Sequence, residues 1–444
     1  SGIYFTFRLG FVQVRLFRAG VHTLATKRSI KTGISPLAAF LLSTAMRVGP
    51  GNMIGVTGAI AAGGPGALFW MWISAFFGMA TAFTEGTLAQ LFKEKRGNTF
   101  VGGLPFYARK LCGNKVWVGT ILSLVYIIYA LMCLPAQGFN VVTSIGAIAG
   151  LAENVKIPLQ STFTYVVSVL VIVLVAFMAF GGIRRVSHWA DILVPVMAVI
   201  YVVTALLLIL SNVGSVPWFF KAVFEGAFKP EAVFGGFFGT ALLQGVKRGL
   251  MSNEAGQGTI TMAAASAEAH HPCEQGIISA LGVFLDTHVI CTMTGFIIVM
   301  AHEWAADPAA WKAAGTYAKF LTSVNGLSPE MMQVFIQIMV SVCFCLFAYT
   351  CVIGFVSFSE ISANRISSSK GFINFIRGLC IFVAAFGIAC NIAGYDLSNL
   401  WAFSDLGNII MVYCNVPMLY LGLKYVKKAA NHYSRDTEAS FDSE

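Results

Sequence analysis

Ten apolar stretches dominate this sequence, and each can cross a bilayer as a helix, which takes roughly 20 residues. They cover residues 35–63, 66–92, 117–149, 159–181, 189–212, 232–267, 276–301, 331–361, 371–391 and 398–425. In hydrocarbon every backbone N–H and C=O must be satisfied within the chain, so continuous apolar runs fold as helices. A membrane barrel is excluded, because its strands would read as short alternating segments. Composition agrees: only 11% of residues are charged and the mean hydropathy is +0.76, whereas soluble domains carry about 25% charged residues. The expectation is an all-α polytopic membrane protein.

The net charge of +9 raises nucleic acid as a partner, but its distribution speaks for a lipid bilayer instead. Basic residues gather in every second loop: Arg8 to Lys31 before span one, Lys93 to Lys115 after span two, and Arg184 and Arg185 after span four. The pattern continues with Arg365, Lys370 and Arg377 after span eight, and Lys424 to Arg435 at the end. The alternate loops hold only scattered lysines. By the positive-inside rule both ends of the chain are cytoplasmic, which an even number of spans requires. Residues 1–34 read as an amphipathic segment at the cytoplasmic interface, and 426–444 as a polar cytoplasmic tail that frays. Residues 213–231 and 302–330 read as external loops whose Trp and Phe suit short interfacial helices. The chain opens on Ser-Gly-Ile without an initiator Met or a signal-peptide pattern, and reads as part of a longer protein.

Five spans lie in 35–212 and five in 232–425. An odd number per half makes the second half enter the membrane from the opposite side, the arrangement of a five-plus-five inverted repeat. Such a repeat should break the first helix of each half. Span one obliges: Arg47-Val-Gly-Pro-Gly-Asn52 places glycines, a proline, an amide and a charge inside an apolar run. Gly and Pro interrupt the helical hydrogen-bond ladder, and at membrane depth the freed groups must face protein, water or a ligand. Span six is unusually long and glycine-rich from Phe234 to Gly258. Paired interrupted segments point to a carrier with a site near the bilayer midplane; close helix packing is the plainer use of such glycines.

Several motifs then occur in a characteristic order: Val48-Gly-Pro-Gly-Asn52-Met-Ile-Gly-Val56, Gly63-Gly-Pro-Gly-Ala-Leu-Phe-Trp-Met-Trp72, Glu85-Gly-Thr-Leu-Ala-Gln90, Gly181-Gly-Ile-Arg-Arg185, Ser252-Asn-Glu-Ala-Gly256 and Gly282-Val-Phe-Leu-Asp-Thr287. Together they closely resemble the alanine/glycine:cation symporter family, within the amino acid–polyamine–organocation superfamily, over nearly the whole chain. The resemblance implies a secondary active symporter of small neutral amino acids, coupled to sodium and working by alternating access as a monomer. It implies a bacterial or archaeal inner membrane, and one further apolar segment ahead of residue 1. Sodium would be co-transported rather than held as a cofactor.

A zwitterionic amino acid needs donors for its carboxylate and acceptors for its ammonium. Half-helix starts supply N–H groups at a positive dipole end. Pro50 has no N–H, so Gly51 and Asn52 are the candidate donors. By resemblance, sodium would sit on the carbonyls of Ala45 and Val48, completed by side chains of span eight. There this chain departs from the family: where a Thr-Thr pair is common it has Thr350-Cys351, and where a Trp is common it has Phe355. A thiol is a soft, poor ligand for sodium. Either sodium is held otherwise, or coupling uses protons or is lost, and the substrate is another small polar amino acid or amine. Thr350 can equally make an intrahelical hydroxyl–carbonyl bond.

Gln137 and Asn140 share one face of span three. Gln137 suits substrate binding, while Asn140 suits either substrate or a tie between helices. Arg47 needs a partner in the membrane, with Glu85 or Glu254 as candidates for an ion pair or gate. Lys247 and Arg248 read as a cytoplasmic gate or as anchoring charge. Asp286, Thr287 and His288 suit ion or proton coupling, or plain packing. His270 and His271 lack a metal-site pattern. The ten cysteines show no CxxC spacing and mostly act as small apolar fillers. No HExxH, GxSxG or paired-aspartate motif occurs in the spans, so the chain does not read as an enzyme. Pore loops or repeated rings that would mark a channel are also missing from the sequence.

Overall fold

The computed structural model describes residues 1–26, 32–97, 99–153, 155, 157–229, 239–302, 311 and 314–441. The glycine run before Gly239, most of the 303–313 stretch and the basic Lys27 to Lys31 lie outside the described residues. The architecture is almost wholly helical. Its one sheet among the described residues is a hairpin pairing Glu94–Arg96 with Thr99–Val101.

Eight helices among the described residues are long and apolar enough to span: Gly66–Leu91, Val116–Glu153, Thr162–Ala179, Arg185–Ser211, Pro272–Met300, Glu330–Ile366, Lys370–Ile392 and Leu397–Arg435. These are spans two to five and seven to ten. The remaining two, spans one and six, are broken into pieces too short to qualify alone. Each is the first helix of its half, as the inverted repeat requires.

Span one begins under clear local instructions. The Ser35 side chain accepts from the Ala38 N–H, and Pro36 occupies the first turn of Pro36–Arg47. That is the favoured chemistry of a helix start. The helix stops after Arg47, and a π-helical turn over Gly51–Gly55 leads into Val56–Gly63. Span six runs as Thr240–Asn253, then unwinds, and resumes as Thr261–Ser266. Its unwound link holds Glu254 at φ 55°, Gly256 at φ 94° and Gly258 at φ 75°. Positive φ suits glycine, but a non-glycine there is uncommon and costs energy.

Small residues bring the remaining helices close. A Cβ on Gly276 would lie 2.2 Å from Thr87 Oγ1, and one on Gly86 2.5 Å from Ser279 Oγ, so spans two and seven meet almost backbone to backbone. Gly387 faces the Pro135 carbonyl at 1.9 Å in the same sense, joining spans three and nine. Without a hydrophobic drive between helices in lipid, such close packing supplies much of the cohesion. Outward, span four exposes Val166, Val169, Leu170, Val173, Leu174 and Phe177, a face suited only to acyl chains.

Two expected peripheral features differ. Residues 1–25 form three short helices, Gly2–Arg8, Val12–Arg15 and Phe17–Ala25, not one interfacial helix. They pack inward: Phe5 is fully buried, Gly2 abuts Phe77 of span two, and Gly20 abuts Ile277 and Leu281 of span seven. The tail expected to fray continues span ten as helix to Phe441. Tyr433 and His432 stack on His271 at 4.9 and 5.5 Å, which gives that extension something to pack against.

Candidate functional site

The site is built from the two breaks. The Pro36–Arg47 half-helix and the Thr240–Asn253 half-helix both end in the protein interior, each pointing the negative end of its dipole inward. Arg47 answers this: its Nε donates to the Asn253 carbonyl at 3.1 Å, the last residue of the other half-helix. No carboxylate lies within ion-pair distance of Arg47 among the described residues, so the expected pair with Glu85 or Glu254 is not formed. A carbonyl at a helix end replaces the carboxylate as partner. The guanidinium fits only because residue 282 is glycine, where a Cβ would sit 2.0 Å from Nη1.

Asn52 is equally committed. Its Oδ1 accepts from the Gly49 N–H at 2.9 Å, and its Nδ2 donates to Asp286 Oδ1 at 2.6 Å. Its own N–H donates to the Gly49 carbonyl at 3.0 Å. Asn52 therefore ties span one to span seven, and the expectation of a free donor at this residue is corrected: both its backbone and its amide are used. The Asp286 carboxylate also accepts from Ser252 Oγ and Thr287 Oγ1, each at 2.9 Å. Asp286 sits in a second π-helical turn, Phe284–Cys291. Such turns often accompany functional sites. Glu85 of span two supports the other break. It accepts from the Gly258 N–H at 2.8 Å and from Asn415 at 2.6 Å, holding the unwound link of span six.

Between these elements lies a cavity of ≈ 50 Å³. That is several times the about 10–15 Å³ one water needs, the scale of a very small solute. It is lined by Met46, Arg47, Gly49, Pro50, Gly51 and Gly55 of span one; Tyr129, Cys133 and Gln137 of span three; and Arg248, Met251, Ser252 and Glu254 of span six. Cys351 and Phe355 of span eight, with Trp401, Ser404 and Asn408 of span ten, complete it. Of the residues expected from sequence, Gly51, Gln137, Cys351 and Phe355 meet here. A Cβ on Gly51 would find nothing within 4 Å, and Gln137 Oε1 is buried without a protein partner.

Asn140, one turn beyond Gln137, does not line the cavity. Both its side-chain atoms are buried without partners, so it ties no helices together. That tie falls to Thr143, which accepts from Asn391 at 2.8 Å. Thr350 lies away as well. Its hydroxyl donates back to the Phe347 carbonyl at 3.1 Å and sits 4.0 Å from Met197 Sδ of span five. Adjacent helical residues point about 100° apart, and Cys351 is the one that faces span one. Its thiol donates to the carbonyls of Met46 at 3.4 Å and Ala45 at 3.7 Å. The expected set of Ala45, Val48, Thr350 and Cys351 is thus not gathered around one point. Asp286 is bonded as described, and His288 stacks on Phe284 at 5.3 Å, away from the cavity.

Sequence reasoning missed the span-ten wall and, on span three, Tyr129 and Cys133. Trp401, Ser404 and Asn408 repeat at helical spacing, as do Tyr129, Cys133 and Gln137, so both stripes were readable as faces. Which face turned inward was not.

The sequence matches the sodium:alanine symporter family over residues 1–444. The chain belongs to that family. It is 35% identical to the amino-acid carrier protein AlsT of Bacillus subtilis, covering 99% of this chain and 89% of AlsT. It is 36% identical to the probable sodium/glutamine symporter GlnT of the same organism, covering 99% and 87%. It is 32% identical to the sodium/alanine symporter AgcS of Methanococcus maripaludis, covering 95% and 89%. Among solved structures it resembles MhsT in complex with L-phenylalanine, with TM-score 0.62, 13% identity and coverage of 86% and 89%. A manganese transporter of Eremococcus coleocola follows at TM-score 0.55, 12% identity and coverage of 88% and 76%. The five-plus-five inverted-repeat fold stands. The family consists of transporters rather than enzymes, and its name implies sodium as a co-transported substrate.

Proposed function

We propose that this chain is a symporter of small neutral amino acids, alanine and glycine, driven by sodium and working by alternating access. The observation that carries the reading is the small cavity between the two helix breaks, with Gly51 main chain on one side and the unpartnered Gln137 Oε1 on another. Phe355 and Tyr129, edge to face at 5.6 Å, close one wall and leave no room for a large side chain. Relatives bearing the names of alanine carriers support the same substrate class.

Alternating access needs a closure that can open. Lys247 Nζ lies 2.8 Å from Asp405 and Arg248 Nη1 3.5 Å from it, joining span six to span ten beside the cavity. These residues sit on the half-helix that follows the Val216–Phe228 connection. Under the positive-inside orientation that is the external side, so the proposed gate is external, where the sequence suggests a cytoplasmic gate or anchoring charge.

A second reading, proton coupling, is favoured by one observation: Cys351 presents sulfur to the Ala45 and Met46 carbonyls where a hydroxyl would suit sodium better. Relatives named sodium/proton-dependent alanine carriers accord with it. The test of the substrate class is a competition panel on purified protein. Alanine and glycine should displace labelled alanine, while phenylalanine and glutamine should not; displacement by large side chains would overturn the reading.

A further inference from the structure

Three carboxylates lie buried around the two helix breaks, and they are not equally satisfied. Asp286 accepts hydrogen bonds from Asn52, Ser252 and Thr287. Glu85 accepts from Gly258 and Asn415. Glu254 accepts only from Thr259, at 2.5 Å on Oε2, among the described residues. It is also the only one of the three that lines the cavity, though just 7% of it is exposed. Arg47, which lines the same cavity, donates through Nε to the Asn253 carbonyl and interacts with Glu254 only through space, without a contact ion pair. A buried carboxylate without a contact ion pair is costly and is normally given one.

Its position is also held against preference. Glu254 adopts φ 55° and ψ 16° just past the end of Thr240–Asn253. A left-handed non-glycine residue costs energy and collects at ligand sites. The negative end of the half-helix adds to the pull on a cation. Gln137 Oε1, a buried acceptor without a partner among the described residues, belongs to the same cavity wall.

We propose that Glu254 recognises the ammonium group of the transported amino acid, restricting the site to α-amino zwitterions over carboxylic acids of the same size. The inference rests on the reading of this cavity as the substrate site. It assigns Glu254 to specificity, with Gln137 as the second acceptor. The opposite, carboxylate end of the ligand then faces the Gly51 turn.

The test compares L-alanine with L-lactate and propionate, which match it in size and lack the ammonium, by binding to the purified full chain at saturating sodium. Glu254→Gln should reduce the ratio of alanine to lactate affinity by about 100-fold, mostly through alanine. Glu254→Asp keeps the charge and should retain the preference within about tenfold, which guards against a Gln variant that fails to fold. An unchanged ratio in Glu254→Gln, even with weakened binding of both ligands, assigns a merely structural role and overturns the proposal. So does a variant that binds alanine normally at saturating sodium but needs more sodium to do so, since Glu254 would then serve the cation. If the unmodified protein binds none of the small amino acids, the substrate reading itself falls, whatever the variants do.

Discussion

Two side chains decide how the pocket is read. Asn52 looked like a substrate donor because it follows the helix break, yet it pairs with Asp286 of span seven, 234 residues away. Nothing local in the sequence could show this, because the partner is supplied by the fold. Asn52→Ala would leave the Gly49 N–H and an Asp286 oxygen unpaired, and each buried orphan costs about 1–3 kcal/mol. Its melting midpoint in detergent, followed by tryptophan fluorescence, should fall markedly. Asn52→Asp should fall further, since a second carboxylate would then face Asp286. An unchanged midpoint for both would show that Asn52 is not the tie described. Cys351 was readable from sequence as the departure that questions the ion, and the geometry keeps it there, against the Ala45 and Met46 carbonyls. If sodium binds at that place, Cys351→Ser should lower the half-saturating sodium concentration for alanine uptake by about three- to tenfold, because oxygen is the harder ligand. No change would remove sodium from this position.

At the scale of elements, the break in span one was legible because Pro50 and its glycines violate helix preference within an apolar run. The break in span six was legible only as a region. Its unwinding at Glu254 to Gly258 depends on Glu85 and Asn415 gripping the link from other helices. Two glycines separate packing from function. Gly282→Ala would put a methyl 2.0 Å from Arg47 Nη1, so the guanidinium must move and its bond to the Asn253 carbonyl at the end of the other half-helix is lost. That variant should lose folded protein on size-exclusion chromatography. Gly51→Ala meets open space and should keep the melting midpoint. Its methyl enters the cavity, so alanine affinity should drop about tenfold or more, the worth of one misplaced methyl. Equal behaviour of the two variants would contradict the division between wall and scaffold.

For the whole molecule, apolar runs were enough to lay out the helical spans in two halves, since lipid leaves the backbone few choices. The inward-facing stripe of span ten and Asp405, the partner of Lys247 and Arg248, were not legible, because ion pairs between distant helices leave no local pattern. If that cluster closes the external side, Asp405→Asn should speed modification of Cys351 by a hydrophilic thiol reagent added outside, in a background lacking the other cysteines. An unchanged rate would place the gate elsewhere. The central claim is that this cavity moves a small amino acid together with sodium. Counterflow of labelled alanine into proteoliposomes, with and without a sodium gradient, tests it most directly. Uptake that accumulates with inward sodium and collapses when choline replaces it is the predicted result; accumulation indifferent to sodium would contradict the account.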